Sequence, residues 1–366
     1  MAIPKVHSAV VQSKGPSISE DQLPLVVTNS KRIPPLPTAH HVLVRVLAVG
    51  LNPTDYKMVT HFYMEGNTVG CDFCGLVVDA GPLSGIPVGT KVIGADFPYR
   101  PNNPDNGAFA EYAVSDARQT VVLPEHMDEL TAAGLGGIGW GTACLAFTDP
   151  DALDLRGWPS TPVEKRVPVL VYGGATATGI VAIQILKHSG YDPIAVCSDK
   201  SAPAVLGYGA VGTASYTATD CLEKIKSIAG GRPIKYALDC ITDPESVSTC
   251  FGALSRVGGR YACLEDCPEA WRTRKSVKVK IVMGFESRNV DVDLGHPVYT
   301  RKANQTLYDQ GVRWTREMQT LLDRGEIRTG KIQVVEGGLD GVIKGLHMLR
   351  NGEVNGKKLV VRIADA

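Results

Sequence analysis

The stretch Val167–Gly179, VPVLVYGGATATG, constrains this chain more than any other. An apolar run ending in Gly173 reads as a buried strand, the glycines after it as a tight turn, and the apolar spacing on through Ile185–Gly190, ILKHSG, as a helix. That order sets a helix N-terminus, with its unpaired N–H groups and partial positive charge, at the end of a strand, where it can hold a pyrophosphate. A simple tight turn explains the glycines equally well, so the surroundings carry the inference. Pro193–Ser198 (PIAVCS) is a second strand and completes a βαβ unit of about thirty residues. Tyr236–Thr242 (YALDCIT), a helix within Ser248–Gly259 ending in glycine, and the strand Arg260–Glu265 (RYACLE) keep the alternation going. Such alternation implies a parallel sheet wound on both faces.

The first third reads differently. Val42–Val49 (VLVRVLAV) and Gly70–Val78 (GCDFCGLVV) have strand patterning, and Pro87–Gly94 and Asn106–Val114 read as turn-plus-strand units. Between the first two lies Leu51–Lys57, LNPTDYK, where Asn-Pro enforces a turn and Thr-Asp can cap a short helix. The polar, proline-bearing stretch from Asp149 to Pro168 reads as a linker or surface insertion. A helix around Thr315–Asp323, an amphipathic piece near Gly341–Leu349 and a closing strand KKLVVRI end the chain. The expected fold is therefore α/β: a doubly wound, Rossmann-type sheet (146–301) inserted in a β-rich, partly barrel-like catalytic domain built from 1–145 and 302–366.

At 366 residues the chain is long enough for two cores. Its formal charge is zero with acids and bases interleaved, which leaves no electrostatic footprint for nucleic acid or an anionic membrane. No basic-then-apolar leader opens the sequence and no run of about eighteen apolar residues is evident, so a cytoplasmic protein is expected. Nine cysteines, an odd number, read as reduced thiols. Cys71 and Cys74 have metal-clip spacing, but a four-ligand site needs a second pair that the sequence lacks before Cys144, so no metal is expected and both read as small buried hydrophobes.

The end of the second strand bears on the nucleotide. An acidic side chain there would hold the ribose hydroxyl of NAD and repel the 2′-phosphate of NADP. Here Ser198 takes that position by spacing and Lys200 adds positive charge, so NADPH is favoured, although Asp199 stands between them. Tyr216 offers a hydroxyl to the same phosphate, or is simply a half-buried strand aromatic.

With these pieces in place, the series LNPTDYK, GCDFCGLVVDAG, PVGTKVIG, NGAFAEY, the nucleotide turn and GKKLVV resembles the quinone-reductase side of the medium-chain dehydrogenase/reductase superfamily over nearly the whole chain. Within it, Thr176 and Ala177 in place of two adjacent glycines, together with YALDCIT and NGKKLVVR, are similar to the fungal trans-acting enoyl reductases that serve polyketide synthases. The zinc-dependent branch would place a cysteine in LNPTDYK and a histidine–glutamate pair where Cys71 and Asp72 stand. The resemblance implies a GroES-like catalytic domain with its active site against the nucleotide domain, and hydride transfer from NADPH to the β-carbon of an α,β-unsaturated thioester. Without a metal, the developing enolate needs positioned donors. By resemblance Lys57 is the cationic or proton-relaying group and Thr142 a hydrogen-bond donor, although a loop lysine is often only solvated and Thr142 could merely cap a helix. Pro53, Thr54 and Asp55 would lie beside the nicotinamide half, Ala175, Thr176, Ala177 and Thr178 at the pyrophosphate, Leu264 near the ring, with Asn355 and Gly356 approaching from the last segment. Many relatives carry a lysine where this chain has Leu206, which leaves Lys200 or Tyr216 to do more. Trp140, Cys144, Phe147 and Phe285 could line an apolar channel or belong to the core.

The implied partner is a polyketide synthase, alone or as a hybrid with a nonribosomal peptide synthetase, presenting substrate on an acyl carrier protein. A stand-alone reductase of small enones or quinones and a nucleotide-binding relative without catalysis stay open as alternatives. Monomer and dimer also stay open, with the monomer favoured.

Overall fold

The computed structural model describes residues 3–13 and 22–365. The chain divides into two compact units, one drawing on Met1–Ile138, Asp291–Arg301 and Lys331–Ala366, the other on Gly139–Val290 and Lys302–Gly330.

In the first unit, alternating and continuous apolar runs become strands because each has a face to bury. The ten-residue strand His41–Gly50 is the hub. It pairs antiparallel with Asp72–Ala80 along one edge, and on the other with Tyr112–Asp116 and then Lys358–Arg362. Lys91–Ala95 and Val121–Val122 extend the sheet one way, and Ile332–Val334 extends it the other. Among the described residues this sheet is open rather than a closed barrel, and a separate ribbon pairs Val6–Gln12 with Leu25–Arg32. The helix Glu129–Leu135 packs on strands His41–Gly50 and Asp72–Ala80.

The second unit holds six strands, all parallel. Their spatial order is Gly212–Ser215, Asp192–Cys197, Pro168–Tyr172, Tyr236–Asp239, Gly259–Cys263 and Val277–Ile281. Counted from Pro168 this is 3-2-1-4-5-6, so the strand order reverses beside Pro168–Tyr172. The nucleotide turn leaves the carboxyl end of that strand, where an open parallel sheet of this kind binds its ligand.

Two boundaries differ from the sequence expectation. The helix expected around Thr315–Asp323 is longer, Gln305–Asp323, and segment 302–330 belongs to the second unit. The stretch after Asp149, expected as a linker or surface insertion, begins as a packed platform with Ala152, Leu153 and Leu155 buried. The two account for each other. Trp314 donates its indole N–H to Thr148 Oγ1 at 3.0 Å, and its ring stacks on Trp158 with centroids 4.5 Å apart. The Glu317 carboxylate accepts from the Ser160 N–H at 2.9 Å and from its hydroxyl.

The span Glu129–Thr148 has the length and apolar composition of a membrane-crossing helix, which the sequence reading had not picked out. It is 78% buried inside the protein and broken at Gly136, so it serves as core.

Candidate active site

The turn after Pro168–Tyr172 is built to leave donors exposed. Thr176 caps the helix Ala177–His188: its Oγ1 accepts from the Gly179 N–H at 3.0 Å and donates to the Gly173 carbonyl at 2.8 Å. The Thr176 N–H is itself used, on the Gly173 carbonyl at 2.9 Å. The N–H groups of Ala175, Ala177 and Thr178 have no partner among the described residues. Three unpaired donors at a helix N-terminus form an anion cradle, and the dipole adds to it. Gly179 keeps the turn tight, since a Cβ there would come within 2.3 Å of the Gly173 carbonyl oxygen. The cradle suits the pyrophosphate of a dinucleotide. Beside it lies the Cys240 thiol, pushed well up in pKa by burial.

At the end of the next strand the Ser198 hydroxyl meets that of Ser201 at 3.0 Å. The Asp199 carboxylate is engaged by the Ser215 hydroxyl at 2.9 Å, while Lys200 and Tyr216 are exposed. Tyr216, 52% exposed in the turn after its strand, is no half-buried strand aromatic. Leu264 follows Gly259–Cys263 at the same edge of the sheet and donates its N–H to Thr242 Oγ1 at 3.3 Å. Thr242 stands in the left-handed region at φ 64, stabilised by Asp239, whose buried carboxylate accepts from the N–H groups of Ile241 and Thr242 and from Ser246 and Tyr261. Burial raises the Asp239 pKa. The signal for Asp239 in the sequence is an aspartate at the end of a strand, a few residues before an Asp-Pro helix start.

Trp140, Thr142, Cys144 and Phe147 all lie on the helix Ile138–Thr148 and are buried, Cys144 and Phe147 almost completely. That places the last two in the core rather than on an open wall. Thr142 faces the turn Gly284–Arg288: a Cβ on Gly284 would lie 2.7 Å from its hydroxyl oxygen, and Phe285 is the next residue. Gly139, one turn earlier, passes Thr178. Thr142, Phe285 and the cradle are thus neighbours within one unit.

In the other unit, Lys57 is half-buried on the helix Pro53–His61. Asn52 rather than Thr54 begins this helix, with Pro53 in its first turn and Asp55 reaching back to the Asn52 N–H at 2.8 Å. Asp55 also accepts from the Tyr99 hydroxyl at 2.8 Å and is fully buried, which holds its pKa up at about 6. It is a structural carboxylate inside the unit, not one exposed beside a cofactor. Pro53 is exposed and Thr54 half-buried; Asn355 and Gly356 are exposed in the turn before Lys358–Arg362.

A second polar cluster, which no local sequence pattern marks, gathers around Asp72. Asp72, 0% exposed, accepts at Oδ1 from the N–H groups of Gly137 (2.8 Å) and Ile138 (2.9 Å) and at Oδ2 from Asn52 Nδ2 (2.8 Å). Lys358 Nζ reaches the same Oδ2 at 3.3 Å and donates to Asn52 Oδ1. Every lone-pair direction of Asp72 is engaged. Cys71 and Cys74 are buried, their thiols pushed up, Cys74 to about 12. Among the described residues no group of three or more His, Cys, Asp or Glu side chains is placed to hold a metal ion, and all nine cysteines are free.

Comparison with known proteins agrees with this geometry. Residues 38–125 match the alcohol dehydrogenase GroES-like domain and residues 177–264 the zinc-binding dehydrogenase domain. The chain is 62% identical to the trans-enoyl reductase sthE of Phaeosphaeria nodorum, over 98% of both proteins, and 50% identical to the trans-enoyl reductase calK of Penicillium decumbens, again over 98% of both. The chain belongs to the trans-enoyl reductase family. The fold is that of the wider medium-chain dehydrogenase/reductase superfamily. The CurK enoyl reductase superposes with a TM-score of 0.70 at 18% identity, covering 97% of this chain and 99% of that one. The quinone oxidoreductase of Coxiella burnetii superposes with a TM-score of 0.66 at 20% identity, covering 98% and 100%. As a trans-enoyl reductase the protein is an oxidoreductase of carbon–carbon double bonds, and reductases of this superfamily take their hydride from NADH or NADPH.

Proposed function

We propose that this enoyl reductase uses NADPH to reduce the α,β-unsaturated thioester of a polyketide intermediate held on an acyl carrier protein, the carrier belonging to a cytoplasmic polyketide synthase or a hybrid with a nonribosomal peptide synthetase. The protein acts as a monomer in this reading. The observation that carries it is the open cradle of Ala175, Ala177 and Thr178 on a chain with full-length similarity to trans-enoyl reductases. Ser198 in place of an acid, exposed Lys200, and Asp199 engaged by Ser215 favour a 2′-phosphate over a free ribose hydroxyl.

Bound, the nicotinamide would supply a hydride to the substrate β-carbon. The rest falls to the protein. Lys57 stabilises negative charge developing on the thioester oxygen or relays the proton, and Thr142, fixed by its helix and crowded by Gly284, donates a hydrogen bond at the pocket wall.

The test follows nicotinamide absorbance with an α,β-unsaturated acyl-pantetheine, a simple quinone, and both NADPH and NADH. Thioester turnover with NADPH preferred, falling about 100-fold or more in Lys57→Ala and about tenfold in Thr142→Val, is the expected result. Turnover of the quinone alone would instead favour the stand-alone reductase, and NADH used equally well would remove the assignment of Ser198 and Lys200.

A further inference from the structure

The two edges of the six-stranded sheet carry opposite equipment. The nucleotide turn, Ser198 and Leu264 all follow strands and so lie at the carboxyl edge. The amino edge carries a cavity of about 630 Å³, formed by the segments that lead into Tyr236–Asp239, Gly259–Cys263 and Val277–Ile281. Its lining contains Lys226, Arg232, Arg256 and Arg274 and no acidic residue.

Two of these cations are committed to the fold. Arg232 donates to Asp192 Oδ2 at 2.6 Å and to the Ala229 carbonyl at 3.1 Å. Arg274 spans the carbonyl end of the helix Pro244–Ala253, donating to Ser255 O at 3.0 Å, to Leu254 O at 3.2 Å and to Phe251 O. Lys226 and Arg256 are exposed, and the side chain of neither makes a hydrogen bond or ion pair with any described residue. Glu223, three residues before Lys226, is not paired with it either. Phe251, Ile234 and Leu254 close the bottom of the cavity and are almost fully buried, so the apolar surface beside the cations is Val257, next to Arg256 and 88% exposed.

A free phosphate is a poor occupant. The helices Cys221–Ile228 and Pro244–Ala253 end here rather than begin, with Arg274 on the last carbonyls of the second, so this edge lacks the unpaired N–H cradle of the other. The cavity is also far larger than one small anion. Carboxylates carried on a larger body, with an apolar side chain between them, complement two separated cations and an uncovered valine beside one of them.

We propose that this groove docks an acidic, amphipathic polypeptide segment of a protein partner, which tethers the enzyme by the edge its cofactor does not use. Docking here leaves the nucleotide turn free, so it is separable from reduction: failed turnover on the free thioester would sink the catalytic assignment and leave this one standing.

The experiment measures binding of a fluorescein-labelled peptide with glutamates and leucines at helical spacing, at low ionic strength, to the full-length protein. Binding should weaken at least tenfold in the double variant Lys226→Glu/Arg256→Glu, weaken with added salt, and persist in Lys344→Glu, an exposed charge reversal on the other unit. Turnover of acyl-pantetheine should be unchanged in all three proteins, showing them folded. No peptide binding to the natural protein, equal loss in Lys344→Glu, or displacement of the peptide by millimolar inorganic phosphate would each overturn the proposal.

Discussion

Three helix N-termini in this protein solve one physical problem in different ways. The helix Ile138–Thr148 begins against Asp72, an internal carboxylate that accepts from Gly137 and Ile138 and is paired with Lys358. The helix Ala177–His188 begins without an anion among the described residues: Thr176 satisfies Gly179 and the donors of Ala177 and Thr178 have no partner among them. Both starts carry the same partial positive charge. Where the chain supplies its own anion the terminus is structure, and where it withholds one the terminus is a site. Even the glycines follow this division. Gly136, at φ 55, has no room for a Cβ because Asp72 Cγ would lie 2.2 Å away, whereas Gly179 clears the turn that leaves the cradle open.

The comparison breaks most severely if the closed terminus is opened. Asp72→Asn keeps the shape but removes the anion from Lys358, which is 9% exposed in its side chain. Leaving a buried ammonium without its partner should cost about 3–5 kcal/mol, read as the urea-unfolding free energy. The double variant Asp72→Asn/Lys358→Met should recover much of that loss, and additive single effects would show that no such pairing operates.

The converse experiment closes the open terminus. Ala177 is exposed in the first turn of its helix, so Ala177→Asp supplies there the carboxylate that Asp72 supplies elsewhere. Stability of the free protein should rise by about 0.5–1 kcal/mol from the dipole. Dinucleotide affinity, measured by calorimetry, should fall about a hundredfold, on the order of 3 kcal/mol. Unchanged affinity would mean that the pyrophosphate is held elsewhere.

How much of this could be read in advance follows from how local each device is. The cradle is contiguous, so strand, turn and helix patterning exposed it within Val167–Gly190. The Asp72–Lys358 pair joins residues 286 apart and the Trp314–Thr148 bond residues 166 apart, and no periodicity records such meetings. For that reason the helix Gln305–Asp323 was expected in the wrong unit, and the Cys71–Asp72 position was recognised for the zinc ligands it lacks rather than for the carboxylate it uses. The groove at the amino edge is made by three separate connecting segments, each an ordinary basic loop in the sequence. The resemblance sets Asp55 beside the cofactor, whereas the fold buries it and brings to it Tyr99, a hydrogen-bond donor 44 residues away in the sequence.

Asp55 is also the intermediate case, a carboxylate at the N-terminus of Pro53–His61 that meets neutral donors, the Asn52 N–H and the Tyr99 hydroxyl, with no cation hydrogen-bonded to it. Burial without a counter-charge raises its pKa from 3.8 to about 6. A carboxylate raised in the folded state binds its proton more tightly there than in the unfolded chain, so its contribution is complete below the unfolded value and is lost as pH rises through about 6. Between about pH 4 and pH 7 that loss should amount to about 2 kcal/mol. Asp55→Asn removes the titration while keeping an acceptor for Asn52, and the Tyr99 hydroxyl can turn to accept from the new amide. The variant should therefore gain stability relative to the natural protein as pH rises across that window, measured as the difference between two urea-unfolding series. Parallel curves would show that burial does not hold the Asp55 proton in the folded protein.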